Sequence, residues 1–547
     1  MRRFALVALT LMLAAPATAA LQAVGPVSIG NGFPLWYEDT NGLKLALCLD
    51  QDQVLDQDLV LPDASVLPAG TTVLPCLTEE PFPGNPISFP FNFGVEAFYW
   101  AAEAATSFAG TPDPATGLPR SGTALLVLAL EAAFANGFVQ DGQQVAFARI
   151  RIRITAPVPG TYVVTHPFGR VTYDVTEVVP GVERTINESQ DIGILEVGNF
   201  LAALADGPGA PELPGDPVPR VDDLGPHRSI GPFLAWQGNP RVNLGGDVYL
   251  AVPFFLDPAT GLTAPVEQPV EGSPIVPDPV GAPGVPANFF QIEFVPNANT
   301  PADFLFLDHA NASNTIRLDR FVVMGKVFNE APNLAPVAAD DAAGTAVDQP
   351  ATVDVLANDT DPLARDPADP LNPLNPANTN VHTIAPDAVA LVTPGAGALA
   401  RSIATTQGGL AEILVDVGAG RAQVRYTPPA GFVGDDTFQY VVQDTGGLLS
   451  APATVTVTVE DLRVDRALFR PKLLRWDVQG STSIPPPHTI TVKNGTGIAA
   501  PVLGTAEVRP DGTWRLTAPV PALPDTSGSV AVESAIGARV TAPVDSR

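Results

Sequence analysis

The feature that most constrains this chain is a strict alternation of apolar and polar residues with a period of two. Residues 146–155 have the sequence AFARIRIRIT, in which Ile150, Ile152 and Ile154 alternate with arginines. Successive side chains of a β-strand point to opposite faces of its sheet. The segment therefore predicts a strand with a buried isoleucine face and a polar arginine face.

Short runs of this kind recur along the chain, separated by turn residues. The 547 residues include 48 Gly and 59 Pro, and 46% are hydrophobic, which suffices to build cores. This pattern predicts an all-β fold, a string of β-sandwich domains of the Ig-like or cadherin-like kind. Two Ala-rich stretches, 96–107 and 124–135, have a partly helical composition. We interpret both as buried strands because they are also rich in aromatic residues or Val.

The N-terminal residues predict export. Arg2 and Arg3 precede an apolar run over residues 4–13 and a small-residue segment at 17–19. This is the pattern of a secretory signal peptide, which we assign to residues 1–19. The apolar run is too short to cross a hydrocarbon core of about 30 Å. We expect an exported protein without membrane insertion, located outside the cell, on its surface or in the periplasm.

Two cysteines, Cys48 and Cys76, are the only ones in the chain. In an oxidising compartment a single pair most simply forms one disulfide bond. A metal pair and a reactive thiol are the alternatives, but neither has a nearby His or a third Cys to support it. We favour the disulfide.

The charge balance excludes some classes of partner. The chain carries 58 Asp and Glu against 29 Lys and Arg, a formal net charge of −29. Such a charge repels phosphate backbones and anionic lipid surfaces, so we expect no nucleic-acid partner. The same charge is compatible with divalent cations.

Changes in composition suggest three regions after the signal peptide. Residues 20–332 form a β-rich region, which a Pro/Gly-dense stretch at 206–219 splits into two sub-domains in one interpretation. Residues 333–460 form the second region. Residues 464–547 form a third, which alternating Trp and Leu residues and an Asp-Gly turn predict to be a small Ig-like sandwich.

The second region carries three motifs in order. Residues 333–341 are NLAPVAADD, 353–361 are VDVLANDTD and 426–440 are YTPPAGFVGDDTFQY, followed by the alternating strand ATVTVTV at 453–459. In these motifs residues 333–460 resemble the bacterial cadherin-like and Ig-like modules of large secreted adhesins. The resemblance implies a seven-strand-type sandwich that acts as a spacer, an adhesive arm or both. Residues 20–332 resemble, more weakly, an uncharacterised secreted bacterial family with no known activity.

The resemblance also implies a candidate calcium site, because acidic motifs gather near one end of cadherin-type folds. Calcium takes six to eight oxygen ligands. The candidate ligands are Asp340, Asp341, Asp359, Asp361, Asp436 and Asp444. The alternative is that these residues occupy turns, where Asp side chains bond their own backbone. An insertion at 362–380 replaces the family's usual D-G-D continuation and weakens the metal assignment.

The leading hypothesis is a non-catalytic structural or adhesion protein that meets an extracellular protein or polysaccharide. A carbohydrate-binding protein is the first alternative, with Trp36, Trp100 and Trp236 as candidate sugar platforms. A glycosidase is the second, since such enzymes use paired carboxylates, and its candidates are Glu96, Glu103 and Glu131.

Other residues with reactive or charged side chains have simpler interpretations. His166 and His309 lack partners at the spacing of a known catalytic or metal motif, so we assign them structural or surface roles. A basic run at the third region, Arg463, Arg466, Arg470, Lys472 and Arg475, predicts a solvated strand edge or a docking patch for an acidic partner.

Overall fold

The protein is described by a computed structural model that covers residues 21–179, 183–194, 196–204, 220–223, 230–273, 286–331, 333–361, 382–519 and 522–546. Over these residues the regular elements are β-strands, apart from two short 3-10 helices, Phe200–Leu204 and Pro471–Leu473. The predicted all-β class is therefore confirmed. The predicted signal peptide at 1–19, the linker at 206–219 and the insertion at 362–380 lie outside the described residues. Neither helix of the described part has the length and hydropathy of a membrane span.

The chain divides into two compact units. The first contains residues up to 26, residues 33–79 and residues 94–328. The second contains residues 329–547 together with two short segments from earlier in the chain, 27–32 and 80–93. The domain boundaries proposed from sequence stay predictions.

Where the structure describes it, the first unit contains 23 strands: β1 Leu21–Val24, β2 Trp36–Asp39, β3 Lys44–Ala46, β4 Gln53–Val54, β5 Leu59–Val60, β6 Val66–Leu67, β7 Thr72–Leu74, β8 Glu96–Pro112, β9 Pro119–Phe134, β10 Gln144–Thr155, β11 Gly160–His166, β12 Gly169–Val175, β13 Ile186–Ile192, β14 Arg220–Asp223, β15 Ala235–Trp236, β16 Val242–Leu244, β17 Asp247–Tyr249, β18 Phe254–Leu256, β19 Thr263–Pro265, β20 Glu267–Glu271, β21 Phe290–Val295, β22 Thr315–Leu318 and β23 Arg320–Val327. The largest sheet has twelve strands, and its main path is β1-β2-β3-β23-β8-β9-β10-β13. A five-stranded sheet has the order β14-β12-β11-β21-β22, and a four-stranded sheet has the order β19-β18-β7-β4.

The two Ala-rich stretches are the longest strands of the unit, β8 and β9, which confirms their interpretation as strands. They pair antiparallel with each other, and β9 also pairs with β10. In β10 the predicted alternation is present: Ile150, Ile152 and Ile154 are at most 3% exposed. Small Ala side chains therefore serve close strand packing here, and tertiary contacts override their helical preference.

The disulfide predicted from the cysteine count is present between Cys48 and Cys76, whose Cα atoms are 5.4 Å apart. Both residues are buried. The sulfur atoms lie near Asp50, but their mutual bond removes them as metal ligands. Asp50 itself bonds to the Tyr249 hydroxyl at 2.6 Å and to Lys326.

In its described residues the Ig-like module of the second unit contains nine strands: β24 Asp341–Ala346, β25 Ala351–Val353, β26 Ile384–Val392, β27 Leu399–Ala400, β28 Ser402–Ala404, β29 Leu410–Asp416, β30 Arg421–Thr427, β31 Gly434–Asp444 and β32 Ala453–Glu460. They form two sheets, ordered β24-β32-β31-β26-β27 and β25-β30-β29-β28. The first strand, β24, runs parallel to the last, β32. Val455, Val457 and Val459 of β32 are fully buried in the core beside Phe438 and Tyr440, as their alternation with Thr predicts.

The last eight strands form a second sandwich: β33 Arg463–Arg470, β34 Arg475–Ser481, β35 Thr489–Asn494, β36 Val502–Glu507, β37 Thr513–Ala518, β38 Ser529–Ser534, β39 Arg539–Pro543 and β40 Asp545–Ser546. Its sheets have the orders β37-β34-β33-β40 and β36-β35-β38-β39. Trp476 and Trp514 fill the core between them.

The two sandwiches of the second unit share a buried junction. Glu460, at the end of β32, is fully buried and accepts hydrogen bonds from Thr482 and, at 3.3 Å, from His488. Ala346 of β24 belongs to the core of the C-terminal sandwich. A Cβ atom on Gly344 would lie 2.1 Å from the backbone oxygen of Ile536. The sandwiches therefore meet so closely that this position admits no side chain.

The substitution Gly344→Ala tests this junction. The added methyl group meets backbone oxygen rather than a flexible side chain, so we expect a loss of about 1–3 kcal/mol in the unfolding free energy of the second unit. Gly497→Ala is the matched control, since its Cβ has no neighbour nearer than 3.9 Å. Equal melting temperatures for the two variants in calorimetry would contradict the close approach.

Reduction of the disulfide tests its contribution to the first unit. The bond closes a loop with a sequence separation of 28, which corresponds to about 3.5 kcal/mol on the chain-entropy model. We expect a reductant to lower the melting temperature of the wild-type first unit. The Cys48→Ser/Cys76→Ser variant should melt at the lower temperature with or without reductant. A wild-type melt that is indifferent to reductant would contradict the assignment.

Candidate functional site

One end of the Ig-like module brings four of the six predicted aspartates together. On β31 the residues Tyr440, Val442 and Asp444 share the inner face, and each is at most 1% exposed. An isolated bridge pairs Thr360, in the segment that follows β25, with Val337, and a hydrogen bond from Tyr440 to Asp359 connects the same segment to β31. Asp359 and Asp361 flank Thr360 and point to the opposite side from it, because side chains alternate along extended chain. We call this region the acidic end.

The first half of the acidic end is built on Tyr440. Its hydroxyl lies 2.9 Å from Asp359 Oδ1 and also contacts the backbone oxygens of Ala339 and Val355. Asp359 Oδ1 accepts a second bond from the Ala339 backbone N–H at 2.8 Å. Asp341, the first residue of β24, also interacts with Tyr440. Two further carboxylate oxygens, Oδ2 of Asp341 and Oδ2 of Asp359, are buried and have no hydrogen-bond partner.

The second half of the acidic end is built on Asp444. Its Oδ1 accepts bonds from the backbone N–H groups of Gly446 and Leu448 and from the side-chain amide of Asn333. Its Oδ2 is buried without a partner, as are Oδ1 of Asn333 and both carboxylate oxygens of Asp361. The negative charge of Asp444 acts on Asp361. Four oxygen atoms in this half therefore lack a donor.

This concentration of unpartnered oxygens is unusual within the chain. Among the described residues, six buried carboxylate oxygens lack a hydrogen-bond partner, and five of them belong to Asp341, Asp359, Asp361 and Asp444. The sixth belongs to Glu460. A buried polar group without a partner costs about 1–3 kcal/mol, and more when it is charged. The acidic end therefore favours a ligand that supplies positive charge.

Burial changes the acidity of these groups. It raises the pKa of Asp341 to about 6, against a lowering contribution from Tyr440 and a raising one from Asp359. Burial also raises the pKa of Asp361 to about 6, with a further contribution from the charge of Asp444. Burial is also the main cause that raises the pKa of Asp359. These carboxyl groups hold their protons up to a higher pH because few positive charges or hydrogen-bond donors stabilise their ionised forms.

The other two predicted aspartates are fully engaged elsewhere. Asp340 is exposed and accepts the backbone N–H of Thr454 at 2.7 Å. Asp436 is fully buried and accepts bonds from Thr406, Tyr426 and the backbone N–H of Gln407. Burial raises its pKa, but these hydrogen bonds outweigh burial and lower it. The contacts of Asp340 and Asp436 therefore agree with the alternative in which an aspartate bonds nearby backbone and hydroxyl groups and no metal ion.

The donor set fits a hard cation. The acidic end offers carboxylate and amide oxygens, the ligands that calcium prefers, with water and backbone oxygen to complete six to eight. Sequence reasoning selected the four aspartates but missed Asn333, which stands in the opening N-x-x-P motif and contributes an amide oxygen. Its position in that motif was the available signal.

The three tryptophans proposed as sugar platforms lie in two kinds of environment. Trp100 and Trp236 are fully buried, and the Trp100 indole N–H donates to the Leu234 backbone oxygen at 3.0 Å. Trp36 is partly exposed, with Lys44 4.9 Å from its ring. Trp100 and Trp236 are therefore core residues, and the sugar-platform hypothesis loses two of its three members.

The three glutamates proposed for a glycosidase lie on the paired strands β8 and β9. Glu131 is buried and bonds Arg149 at 2.7 Å, while burial raises its pKa to about 7 despite that arginine. Glu103 pairs in register with Val127, four residues from Glu131 on the same strand. The backbone positions of Glu103 and Glu131 are thus about 13 Å apart along the strand direction. Glu96 is exposed at the start of β8, pairs in register with Ala133, and its charge contributes to the raised pKa of Glu131.

The histidines and the basic run have structural contacts. His166 is buried, and its Nδ1 accepts the backbone N–H of Phe168 at 3.3 Å. His309 is exposed on the rim of a cleft of about 620 Å³. In the basic run, Arg466 joins Arg515 in bonding the buried carboxylate of Asp477.

The comparison with protein families gives one match. Residues 333–459 match the family model described as "Bacterial Ig domain". This confirms the resemblance that the three sequence motifs carry. The resemblance proposed for residues 20–332 stays a prediction. Comparison with curated proteins finds no match.

Similar solved structures are tandem β-sandwich proteins. Drosophila N-cadherin EC1-4 is 13% identical over 47% of this chain and 57% of its own, with a TM-score of 0.15. A 1.5-MDa bacterial ice-binding adhesin is 15% identical over 40% of this chain and 67% of its own, with a TM-score of 0.12. The Bacteroides ovatus protein SGBP-B, solved with a mixed-linkage heptasaccharide, is 14% identical over 47% and 52%, with a TM-score of 0.12. TM-scores this low carry no functional information about this chain.

The raised pKa values predict a pH dependence of stability. A carboxyl group with a pKa of about 6 in the folded chain and about 4 in the unfolded chain binds protons more tightly when folded. In chelator, the unfolding free energy of the second unit should therefore fall as pH rises from about 4 through about 6 and level off above about 7. Calorimetry across this range measures it.

The variant Asp361→Asn isolates the contribution of the acidic end. It removes one titrating group, so its pH profile should be flatter than that of the wild type. Asp340→Asn makes the same charge change at an exposed position and should keep the wild-type slope. Coincident profiles for Asp361→Asn and the wild type would contradict the assignment.

Proposed function

We propose that this chain is an exported, non-catalytic structural or binding protein whose Ig-like module binds calcium at the acidic end. The observation that carries the calcium proposal is the group of five buried carboxylate oxygens without donors on four neighbouring aspartates. The match to the bacterial Ig domain family supports a module that spaces or displays a binding surface.

Calcium suits this site better than a transition metal. The unpartnered groups are oxygen atoms alone, and soft metals select thiolate or imidazole ligands. Magnesium demands a nearly ideal octahedron and retains its water, whereas calcium accepts irregular sets of carboxylate and amide oxygens. Asn333, Asp361 and Asp444 would be the ligands in one half of the acidic end, with Asp341 and Asp359 in the other.

The bound ion would act mechanically. Asn333 lies at the start of the module, Asp361 in the segment after β25, and Asp444 at the end of β31. These residues are far apart in sequence, so an ion bound to them would cross-link three segments at one end of the sandwich. A cross-link of this kind opposes fraying of the module under load.

A module that spaces or displays a binding surface also requires a partner that binds to that surface. We propose an extracellular protein or polysaccharide, in keeping with the proposed export and with the net charge of −29, which disfavours nucleic acid.

A thermal melt of the full mature chain in calcium and in chelator tests the proposal. At a calcium concentration of about 100 times Kd, binding stabilises the folded state by about 2.7 kcal/mol. For a unit of this size that raises the melting temperature of the second unit by roughly 5–10 °C. Magnesium at the same concentration should produce a smaller shift.

Two variants separate the site from a general charge effect. Asp361→Asn removes a buried, uncompensated charge, so we expect a higher melting temperature in chelator and a reduced shift in calcium. Asp340→Asn should melt and respond like the wild type. No calcium shift in the wild-type chain would overturn the calcium proposal, as would an equal shift in Asp361→Asn.

A further inference from the structure

The polar face of β10 in the twelve-stranded sheet carries a row of three arginines, of which the first is buried and the other two are partly exposed. Arg149, Arg151 and Arg153 alternate with the buried isoleucines, so they share one face and stand about 7 Å apart along the strand. The neighbouring strand β13 ends the sheet path and carries Asn187 and Ser189 opposite Arg153 and Arg151.

The first arginine of the row is neutralised. Arg149 bonds Glu131 at 2.7 Å and forms two bonds to Asp191, at 2.6 and 2.8 Å. Two carboxylates therefore compensate one guanidinium group. This end of the row is a structural charge network that joins β9, β10 and β13.

The remaining arginines have neutral partners. Arg151 donates to the Ser189 hydroxyl at 3.0 Å, and Arg153 donates to the Asn187 side-chain oxygen at 3.3 Å. Arg184 is exposed and joins them from the segment before β13, where its backbone N–H donates to Thr155 Oγ1 at 3.2 Å. In the part of the chain that is described, the ion pairs involve none of these three side chains. We call Arg151, Arg153 and Arg184 the arginine face.

The three positive charges lie close enough to repel one another. Burial lowers the pKa of Arg153, and the nearby charges of Arg151, Arg184 and Arg149 lower it further. In a chain with twice as many acidic as basic residues, a cluster of three cations that forms no ion pair among the described residues is unexpected. The charge of Arg151 also acts on the buried carboxyl group of Glu131. Such a cluster gains free energy when an anion binds to it.

The surroundings of the arginine face indicate the kind of anion. Leu125 and Val127 of β9 lie in register with Arg153 and Arg151 and are half-buried. Thr123 and Thr155 add hydroxyl groups in the same row. The strip thus combines guanidinium, hydroxyl and aliphatic groups on β9, β10 and β13, and the row through Arg151 and Val127 ends at Glu103 on β8. The guanidinium and hydroxyl groups suit a chain that carries both hydroxyls and spaced carboxylates or sulfates.

We propose that the arginine face binds an anionic polysaccharide, with Arg151, Arg153 and Arg184 paired to its carboxylate or sulfate groups. A single-stranded nucleic acid fits less well, because the strip has no exposed aromatic side chain on which bases stack. The arginine face lies in the first unit, so this proposal is independent of the calcium site.

Binding of defined polymers to the full mature chain tests the proposal. The probes are polygalacturonate, dextran sulfate and uncharged dextran, measured by isothermal titration in chelator at low ionic strength. We expect one or both charged polymers to bind, with an affinity that falls as salt rises, and dextran not to bind. The variant Arg151→Gln/Arg153→Gln should lose about 10- to 100-fold in affinity, since each lost charge-assisted pair costs about tenfold.

Two controls make the result specific. Arg425→Gln/Arg509→Gln makes the same change in net charge at exposed positions of the second unit and should bind like the wild type. Arg151→Lys/Arg153→Lys keeps the charge but loses the planar guanidinium group. Its affinity for the charged polymers should lie between that of the wild type and that of Arg151→Gln/Arg153→Gln. Absence of binding to both charged polymers, or equal weakening by the two Gln pairs, would overturn the proposal. So would tighter binding to single-stranded DNA that depends on the same arginines.

Discussion

The structure depends on one electrostatic constraint: a carboxylate leaves water only when something else compensates its charge. The chain meets this constraint in several ways. Arg149 compensates Glu131 and Asp191, and Arg466 and Arg515 compensate Asp477. Backbone and hydroxyl donors surround Asp436 instead of a cation.

The acidic end differs from these cases because its compensation is incomplete. Tyr440 and backbone N–H groups satisfy one oxygen of Asp359, and the 444–448 turn satisfies one oxygen of Asp444. The remaining oxygens face inward without donors. The same strand that builds the aromatic core also holds these groups in place, so a cation bound here would be coupled directly to the packing of the sandwich.

Much of the fold could be predicted from sequence, because apolar and polar residues alternate with a period of two wherever one face of a sheet is buried and the other faces water. The valines of β32 and the isoleucines of β10 are examples. The site was harder to predict, since six aspartates in turn-like motifs look alike in sequence. What separates Asp436 from Asp361 is the number of donors that distant segments bring to each, and that depends on tertiary structure. Trp36, Trp100 and Trp236 illustrate the same limit: core packing was the favoured interpretation for tryptophan, but the sequence does not show which of the three the sheet covers, and the structure buries Trp100 and Trp236.

A crystal structure of the mature chain grown in calcium, with the ion located by its anomalous scattering, tests the central claim most directly. We predict an anomalous peak at the acidic end, with ligand oxygens at about 2.4 Å from the ion. The ligands are Asn333, Asp361 and Asp444 in one half of the acidic end, or Asp341 and Asp359 in the other. Ordered water or protons satisfying these oxygens at a saturating calcium concentration, without an anomalous peak, would contradict it.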